Sequence, residues 1–571
     1  MNNSWRSETE LALASCLGDF QQRAAAMWGG REKRAVIAVT RILDCIAVSG
    51  YWERSGEYFS QGTPELQRSI FMMGCAPALR PFLSVTKDQD GGIPYGPAHP
   101  DETRFAYSYL GNCGSLAFLS RMASLEHYGL ATTEQVGSNH FRITVSPGAP
   151  EEAARHSRRL LARENTAARP GTRKRKLWNR LHGRMKRYVG PADGWFIRYD
   201  NDWEIVKAYR EKARLFGKDY PETEAFPDDV FIGDRSFGAW KEACNQAVGR
   251  ILAHMDFSAF LHRKTPSIPL ENILCIFVRR EDAEAIWREA GLPADQVGPT
   301  MRALTLEFDD LDEWERAFEV PSTFYIGLGR DLLLLPCFGA LTNPYFAMFR
   351  HIRESYRADW DRAVDLRESV FRDDLARVFP QSRFIIPEHG FKLRRTDGSV
   401  ITDIDALILD NETGDLALVQ LKWHDVFGFS LKERESRRKN IAKANDWVER
   451  VSGWVGNRSS QEIVSALRIN CQASQQPPLL YVLARYGARF TGDHVHDNRA
   501  VWVGWSEVLA ASRQPLPGER SPLLEIPAWI LACQQQFEKT ETQSRDFSFP
   551  GLTVTINQPY TTEVIQLPQQ Q

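Results

Sequence analysis

The run Ile401-Thr402-Asp403-Ile404-Asp405-Ala406-Leu407-Ile408-Leu409-Asp410-Asn411-Glu412-Thr413-Gly414-Asp415-Leu416-Ala417-Leu418-Val419-Gln420-Leu421-Lys422-Trp423 decides how this chain is read. Two aliphatic runs flank Asn411-Glu412-Thr413-Gly414, a turn composition, so the stretch predicts a β-hairpin. Asp410 then opposes Asp415 across a four-residue loop. Counting back from the turn sets Asp405 opposite Gln420 and Asp403 opposite Lys422. Side chains alternate along a strand, so Asp403, Asp405, Gln420 and Lys422 are expected on one face. Ile404, Ala406, Val419 and Leu421 fill the other.

A polar quartet at the end of an apolar hairpin is costly unless it serves a purpose, because unpaired polar atoms and charges in an apolar setting cost several kcal/mol. Phosphodiester hydrolysis is such a purpose. A carboxylate and a side-chain oxygen one rung apart can hold a hard divalent cation, which prefers oxygen ligands. The cation polarises the phosphate and lowers the pKa of water, while a neighbouring lysine orients that water or offsets developing charge.

The flanking sequence supplies more elements. A helix is expected over Ala363–Phe379 with Leu366, Val370, Leu375 and Val378 as its apolar stripe. One strand is expected to run from Phe384 through Glu388 to Phe391 and Leu393, closed by a turn at Thr396-Asp397-Gly398-Ser399. After the hairpin, a helix over Leu431–Val451 carries Arg437, Arg438, Lys439 and Lys443 beside an apolar side of Ile441, Ala444, Trp447, Val448 and Val451. Its basic side chains either grip backbone phosphates or form a solvated face paired with Glu433, Glu435 and Glu449. Leu479–Tyr486 reads as a buried strand, and Ala500–Trp505 as a last strand entering a helix capped by Ser506.

This order of elements, with Ile404-Asp405 followed on the next strand by Gln420-Leu421-Lys422, resembles the PD-(D/E)xK nuclease superfamily, and in its Gln-x-Lys form the Mrr-type restriction-endonuclease branch. The resemblance covers residues 351–515 of 571. It implies a restriction-endonuclease-like αβββαβ domain with a mixed sheet. It also implies Asp405, Gln420 and the Leu421 main-chain carbonyl as ligands of Mg2+ or Mn2+, Lys422 as catalytic lysine and Glu368 as an accessory acid. Two departures matter. Ile404 stands where the pattern has proline, and Gln420 removes a negative charge, which lowers the expected metal affinity. A salt-bridged hairpin, Asp403 to Lys422, in an inactive domain is the competing reading.

Outside this segment the chain reads as multidomain, α+β or α/β: a mostly helical unit over 1–150, a basic linker or arm over 151–190, a mixed helical unit over 191–350, and a C-terminal helix and polar tail over 516–571. Leu116–His127 followed by a turn and Gly137–Val145 has the layout of a winged helix or of a plain structural hairpin. Between Arg155 and Arg187 lie thirteen Lys or Arg against the single acid Glu164. Arg173, Lys174, Arg175 and Lys176 are its densest part, either a phosphate-tracking arm or a solvated linker. Past about residue 540 the chain is expected to be flexible, with a short strand at Leu552–Ile556.

Composition narrows the function classes. Lys plus Arg is 71 and Asp plus Glu is 73, a formal charge of −2, so nucleic-acid contact must come from local patches. Nine scattered cysteines with no CxxC pair argue against a zinc ribbon or disulfide framework. His494-Val495-His496 lacks a third ligand at metal spacing. No membrane-length apolar run, nucleophile elbow, HExxH or Walker motif occurs in the sequence. The sequence therefore predicts a cytoplasmic Mg2+-dependent endonuclease acting on nucleic acid, double-stranded DNA first, with no membrane partner. Defence against foreign DNA follows from the resemblance, and a homodimer or a defence-system protein is the further partner reading. The alternatives are a DNA-binding or regulatory protein that no longer cleaves, and an RNA-processing or repair nuclease.

Overall fold

The computed structural model describes residues 7–52, 64–92, 94–146, 172–218, 220–395, 397–424, 431–456, 458–486, 488, 495–512, 521–535 and 540–561. It is a mixed α/β architecture with three mixed sheets of four or five strands. Among the described residues no helix is long and apolar enough to cross a membrane.

Helices Glu8–Trp28, Glu32–Tyr51, Pro64–Met73, Cys75–Thr86 and Pro100–Ser124 open the chain. The second is buried almost all round. Val36, Val39 and Leu43 share a core with Leu79 and Phe82, and also with Cys275, Leu306, Ile326 and Leu334 from much later in the chain. The last four belong to or adjoin a sheet ordered Ile276–Arg279, Leu332–Leu335, Tyr325–Gly327, Thr305–Leu306. The units expected over 1–150 and 191–350 therefore share one core, because neither helix set covers its own apolar surface.

The tail expected to be flexible after about residue 540 is a hairpin of Thr540–Phe549 and Leu552–Thr561, turned at Gly551 with φ +76°; the strand expected at Leu552–Ile556 lies in its second arm. Leu552–Thr561 pairs in parallel with His140–Val145, completing a four-stranded sheet with Ala131–Gly137. Leu552, Val554 and Ile556 bury against Leu116, Leu119 and Met122 while Thr553 and Thr555 point away. With its inner strand edge taken, the 131–145 hairpin is a sheet component, as in the plain structural reading. Trp178 and Leu181 of the basic helix Thr172–Tyr188 pack inward with Met185, whereas Tyr188 is exposed.

The third sheet is ordered Phe384–Ile385, Ala406–Asp410, Leu416–Lys422, Leu479–Ala484, Val501–Gly504. Its first three strands are antiparallel and its last two join in parallel. One face buries Leu407, Leu409, Leu416 and Leu418 against Ile441, Trp447, Val448 and Val451 of the long helix Leu431–Val455. The other buries Ala406, Ile408, Ala417 and Val419 against Phe371 and Leu375 of the helix Arg367–Leu375.

Several expected elements are subdivided. The 363–379 helix breaks at Leu366, which is exposed, into Arg357–Asp365 and Arg367–Leu375; the buried stripe is Arg367, Phe371, Arg372, Asp374 and Leu375. Buried arginines displaced the apolar pattern. The 384–393 strand splits at Pro387, which has no N–H to give a ladder, so Phe384–Ile385 joins the main sheet while Phe391–Arg394 pairs with Val400–Ile404 in a separate ribbon. Ser506 is buried inside the Trp505–Ser512 helix and is not its cap; Glu507 Oε2 accepts from Gly504 N at 2.7 Å.

Candidate active site

The hairpin register follows the turn from Leu409 opposite Leu416 back to Ala406 opposite Val419. There it stops. Asp405 N and its neighbour Ala406 both face Val419, with Asp405 N donating to Val419 O at 3.1 Å. Two residues against one is a β-bulge, a device that re-aims a side chain and bends the strand. Beyond it Ile404 opposes Phe391 instead of Leu421, and Asp403 opposes Lys392 instead of Lys422. Gly390 permits this, since a Cβ there would sit 2.6 Å from the Ile404 carbonyl.

The bulge corrects the expected faces. Ile404 packs with Leu407 and Trp447, on the opposite side of the sheet from Ala406, Val419 and Leu421. Asp403 is exposed, and no ion pair joins it to Lys422 among the described residues. The salt-bridged hairpin is therefore not what holds this end together.

Asp405 itself turns inward and is 5% exposed. A regular ladder would have offered the Leu421 N–H a carbonyl of residue 404; the Asp405 carboxylate substitutes, accepting from Leu421 N at 2.7 Å on Oδ2. The Gln420 side-chain Nε2 donates to the same oxygen. Asp405 and Gln420 thus meet as the sequence predicted. Within a strand a residue's N–H and C=O point to the same edge, so the Leu421 carbonyl faces the Asp405 side that the diverted strand has vacated. Lys422 O, on the opposite edge, accepts from Arg485 N at 2.8 Å.

Glu368 approaches from the Arg367–Leu375 helix and is exposed. A residue that the sequence reading passed over places it: Arg372, 8% exposed, donates from Nε to Asp405 O at 2.7 Å, from Nη1 to Glu388 O at 2.8 Å and from Nη2 to Glu368 Oε1 at 2.9 Å. One guanidinium ties Glu368, the bulge backbone and the preceding loop. Only the Glu368-to-Arg372 spacing of one helical turn hinted at this in the sequence.

Charge at the site is unbalanced toward the negative. Burial, then the nearby Glu368 carboxylate, pushes the Asp405 carboxyl up to about 7, against the opposing pull of the Leu421 amide and the Lys422 ammonium. Burial also pulls the Lys422 ammonium below the usual lysine range, although Asp405, Asp403 and Glu368 draw it up. The exposed Lys443 of the long helix is close enough to lower it further. Of the basic residues named on this helix, Lys443 is the one among the described side chains within electrostatic reach of Lys422. Arg438 is held by Glu435 at 2.8 Å and Lys439 by Glu435 at 3.5 Å, as the solvated-face reading expects. The Arg437 side chain lies outside the described residues, as do those of Arg173, Lys174 and Arg175; Lys176 is exposed at the start of the basic helix.

The donors fit a hard cation in kind: the carboxylates of Asp405 and Glu368, the Gln420 side-chain carbonyl and the Leu421 main-chain carbonyl are all oxygens. A carboxylate raised by burial and by Glu368 is what an added positive charge would relieve. No group of three or more His, Cys, Asp or Glu that could hold a metal ion is found among the described residues. His494 lies outside the described residues, and His496 packs against Trp502 at 4.8 Å between ring centroids.

Comparison with family models, with curated proteins and with solved structures finds no match for this chain.

Proposed function

We propose that the chain is a metal-dependent nuclease that hydrolyses phosphodiester bonds at Asp405, Gln420 and Lys422, with Glu368 as accessory acid and duplex DNA as first substrate. The observation that carries the reading is the β-bulge at Asp405. It aims a buried carboxylate at the Gln420 amide, within electrostatic reach of Glu368 and Lys422. A purely structural hairpin has no need of a bulge that gathers two acids, an amide and a lysine in one partly dry site.

Asp405, the Gln420 carbonyl, the Leu421 carbonyl and Glu368 would hold Mg2+ or Mn2+, which supplies charge neutralisation at the scissile phosphate. Half a turn of the Gln420 amide brings its oxygen in place of the nitrogen now facing Asp405. Lys422 presents N–H donors that orient the attacking water and meet the charge developing on the phosphate. Its lowered pKa eases proton exchange with that water. Arg372 positions Glu368 and the bulge without touching substrate. Lys443 and the basic helix supply phosphate affinity without sequence choice.

A second reading, a DNA-binding protein that does not cleave, is favoured by the Asp405 Oδ2 bonds to Gln420 and Leu421, which satisfy that oxygen without an ion. Restriction or defence against foreign DNA is the biological setting that the Gln-x-Lys resemblance suggests. Incubating the protein and its Asp405→Ala variant with duplex DNA, single strands, branched DNA and RNA in Mg2+ or Mn2+ separates these readings. Cleavage lost in the variant is the expected result. Salt-sensitive binding with no cleavage of any substrate would favour the second reading.

A further inference from the structure

A second site lies among the N-terminal helices, remote in sequence from Asp405. A cavity of about 410 Å3 opens between the Glu32–Tyr51 helix, the 94–98 segment and the start of the Pro100–Ser124 helix; Arg34, Arg41, Tyr95, His99, Glu102 and Thr103 line it. That volume falls in the range of small-molecule sites.

Arg41 sets this cavity apart. It is 6% exposed, donates from Nη2 to Gly96 O at 2.8 Å, and lies over the Tyr95 ring at 4.7 Å. Its Nε finds no acceptor among the described residues, and no carboxylate there pairs with it within 4 Å. Three other buried arginines meet carboxylates: Arg235 meets Asp234 at 2.8 Å, Arg350 meets Glu354 at 3.1 Å and Arg485 meets Glu224 at 3.0 Å. Asp44, one turn along the helix from Arg41, is not its counter-ion. It accepts from Cys337 N at 2.7 Å and Phe338 N at 2.8 Å, and burial holds its carboxyl well above the usual range. A buried guanidinium with an idle donor costs free energy unless an anion completes it.

The cavity mouth is different in character. Arg34 is already paired with Glu102 at 2.5 Å, so the outer end is close to neutral. Arg34 and Arg41 are seven residues apart on one helix face, roughly 10 Å along the axis. A ligand that satisfies Arg41 therefore has one anionic group at the deep end and an uncharged body reaching outward along Ile37, Ala38 and Pro97. The acidic first turn of the Pro100–Ser124 helix, Asp101 and Glu102, already answers that helix's dipole, so the attraction rests on Arg41.

We infer that this cavity binds a small organic phosphate monoester, its phosphate on Arg41 and its body toward the Arg34–Glu102 pair. Guanidinium geometry matches two phosphate oxygens at once. The space exceeds what inorganic phosphate alone would fill.

Isothermal titration of the full chain in EDTA, which removes metal-held phosphate binding elsewhere, uses AMP, inorganic phosphate and succinate as probes. AMP is expected to bind one to one, inorganic phosphate more weakly, and succinate weakest. Arg41→Gln should weaken AMP about ten- to a hundredfold, the loss of a charged hydrogen bond. Arg34→Gln should change it by less than about fivefold, as for an exposed ion pair. If Arg41→Gln does not fold, Thr103→Glu, which adds a carboxylate to the lining, should abolish AMP binding. No binding of AMP or phosphate at millimolar concentration, succinate as tight as AMP, or AMP affinity unchanged in a folded Arg41→Gln or Thr103→Glu protein would each overturn the inference.

Discussion

Replacing Asp405 by Asn tests whether the bulge imposes a buried charge that the fold alone does not want. The native carboxyl is pushed to about 7 from its ordinary 3.8, chiefly by burial and then by Glu368. Between these values the native state holds a proton that the unfolded chain has shed. Stability therefore falls as pH rises through that window and is fully present only below about pH 4. At roughly 1.4 kcal/mol per pH unit the loss approaches 4 kcal/mol by pH 8. Asn keeps an oxygen for the Leu421 amide and carries no charge, while the Gln420 amide turns to present its own oxygen to the new NH2 group. Asp405→Asn should therefore match the parent near pH 3.5 and exceed it by about 2 to 4 kcal/mol at pH 8 in EDTA. Differential scanning calorimetry of both proteins at the two pH values reads this as a rise of several degrees at the higher pH only. Adding Mg2+ should raise the parent's transition and leave that of Asp405→Asn in place. Equal stabilities at pH 8, or the same difference at both pH values, would refute the reasoning.

Gln420→Glu sets a second carboxylate against Asp405; in EDTA it should lower stability at alkaline pH, and with metal it should keep cleavage and tighten Mg2+ binding, measured by titration calorimetry. Weaker or unchanged Mg2+ affinity would remove Gln420 from the ligand set. Arg372→Met leaves the Asp405 and Glu388 carbonyls and Glu368 without their donor, and should cost about 3 to 5 kcal/mol in denaturant unfolding and slow cleavage as well. A loss under about 1 kcal/mol would contradict its role as the tie. Replacing Arg173, Lys174, Arg175 and Lys176 by Ala should weaken binding to two unrelated duplexes alike and flatten the slope of log affinity against log salt by up to about three to four units. An unchanged slope would make this part of the basic helix a mere connector.

How much of this was legible in the sequence can be traced residue by residue. The hairpin was, because two aliphatic runs and the Asn411–Gly414 turn between them fix register locally; Gly414 has φ +76° and leaves no room for a Cβ beside Ser474. That register also predicts Asp405 with Gln420, and the two side chains do meet, but through the bulge and not as a regular ladder pair. The bulge did not, since a one-residue insertion leaves no mark in a polar-apolar pattern, and it was decided by Ile404 packing beside Trp447. Arg372, Arg367 and Arg485 were equally invisible. Their burial depends on backbone carbonyls and carboxylates far away in sequence, such as Ala225 O at 3.1 Å from Arg367 Nε. Of the C-terminal hairpin only the strand at Leu552–Ile556 was legible, since its partner Thr540–Phe549 is mostly polar. Its burial comes from the Leu116–Met122 helix surface, which a local window cannot see.

Cleavage of duplex DNA in Mg2+, followed at single turnover for the parent, Asp405→Ala and Lys422→Ala with folding checked by circular dichroism, bears most directly on the assignment of this site. Both variants should fold and lose about a hundred- to a thousandfold or more in rate. Cleavage at the parental rate by either folded variant would mean that the chemistry, if any, lies elsewhere in the molecule.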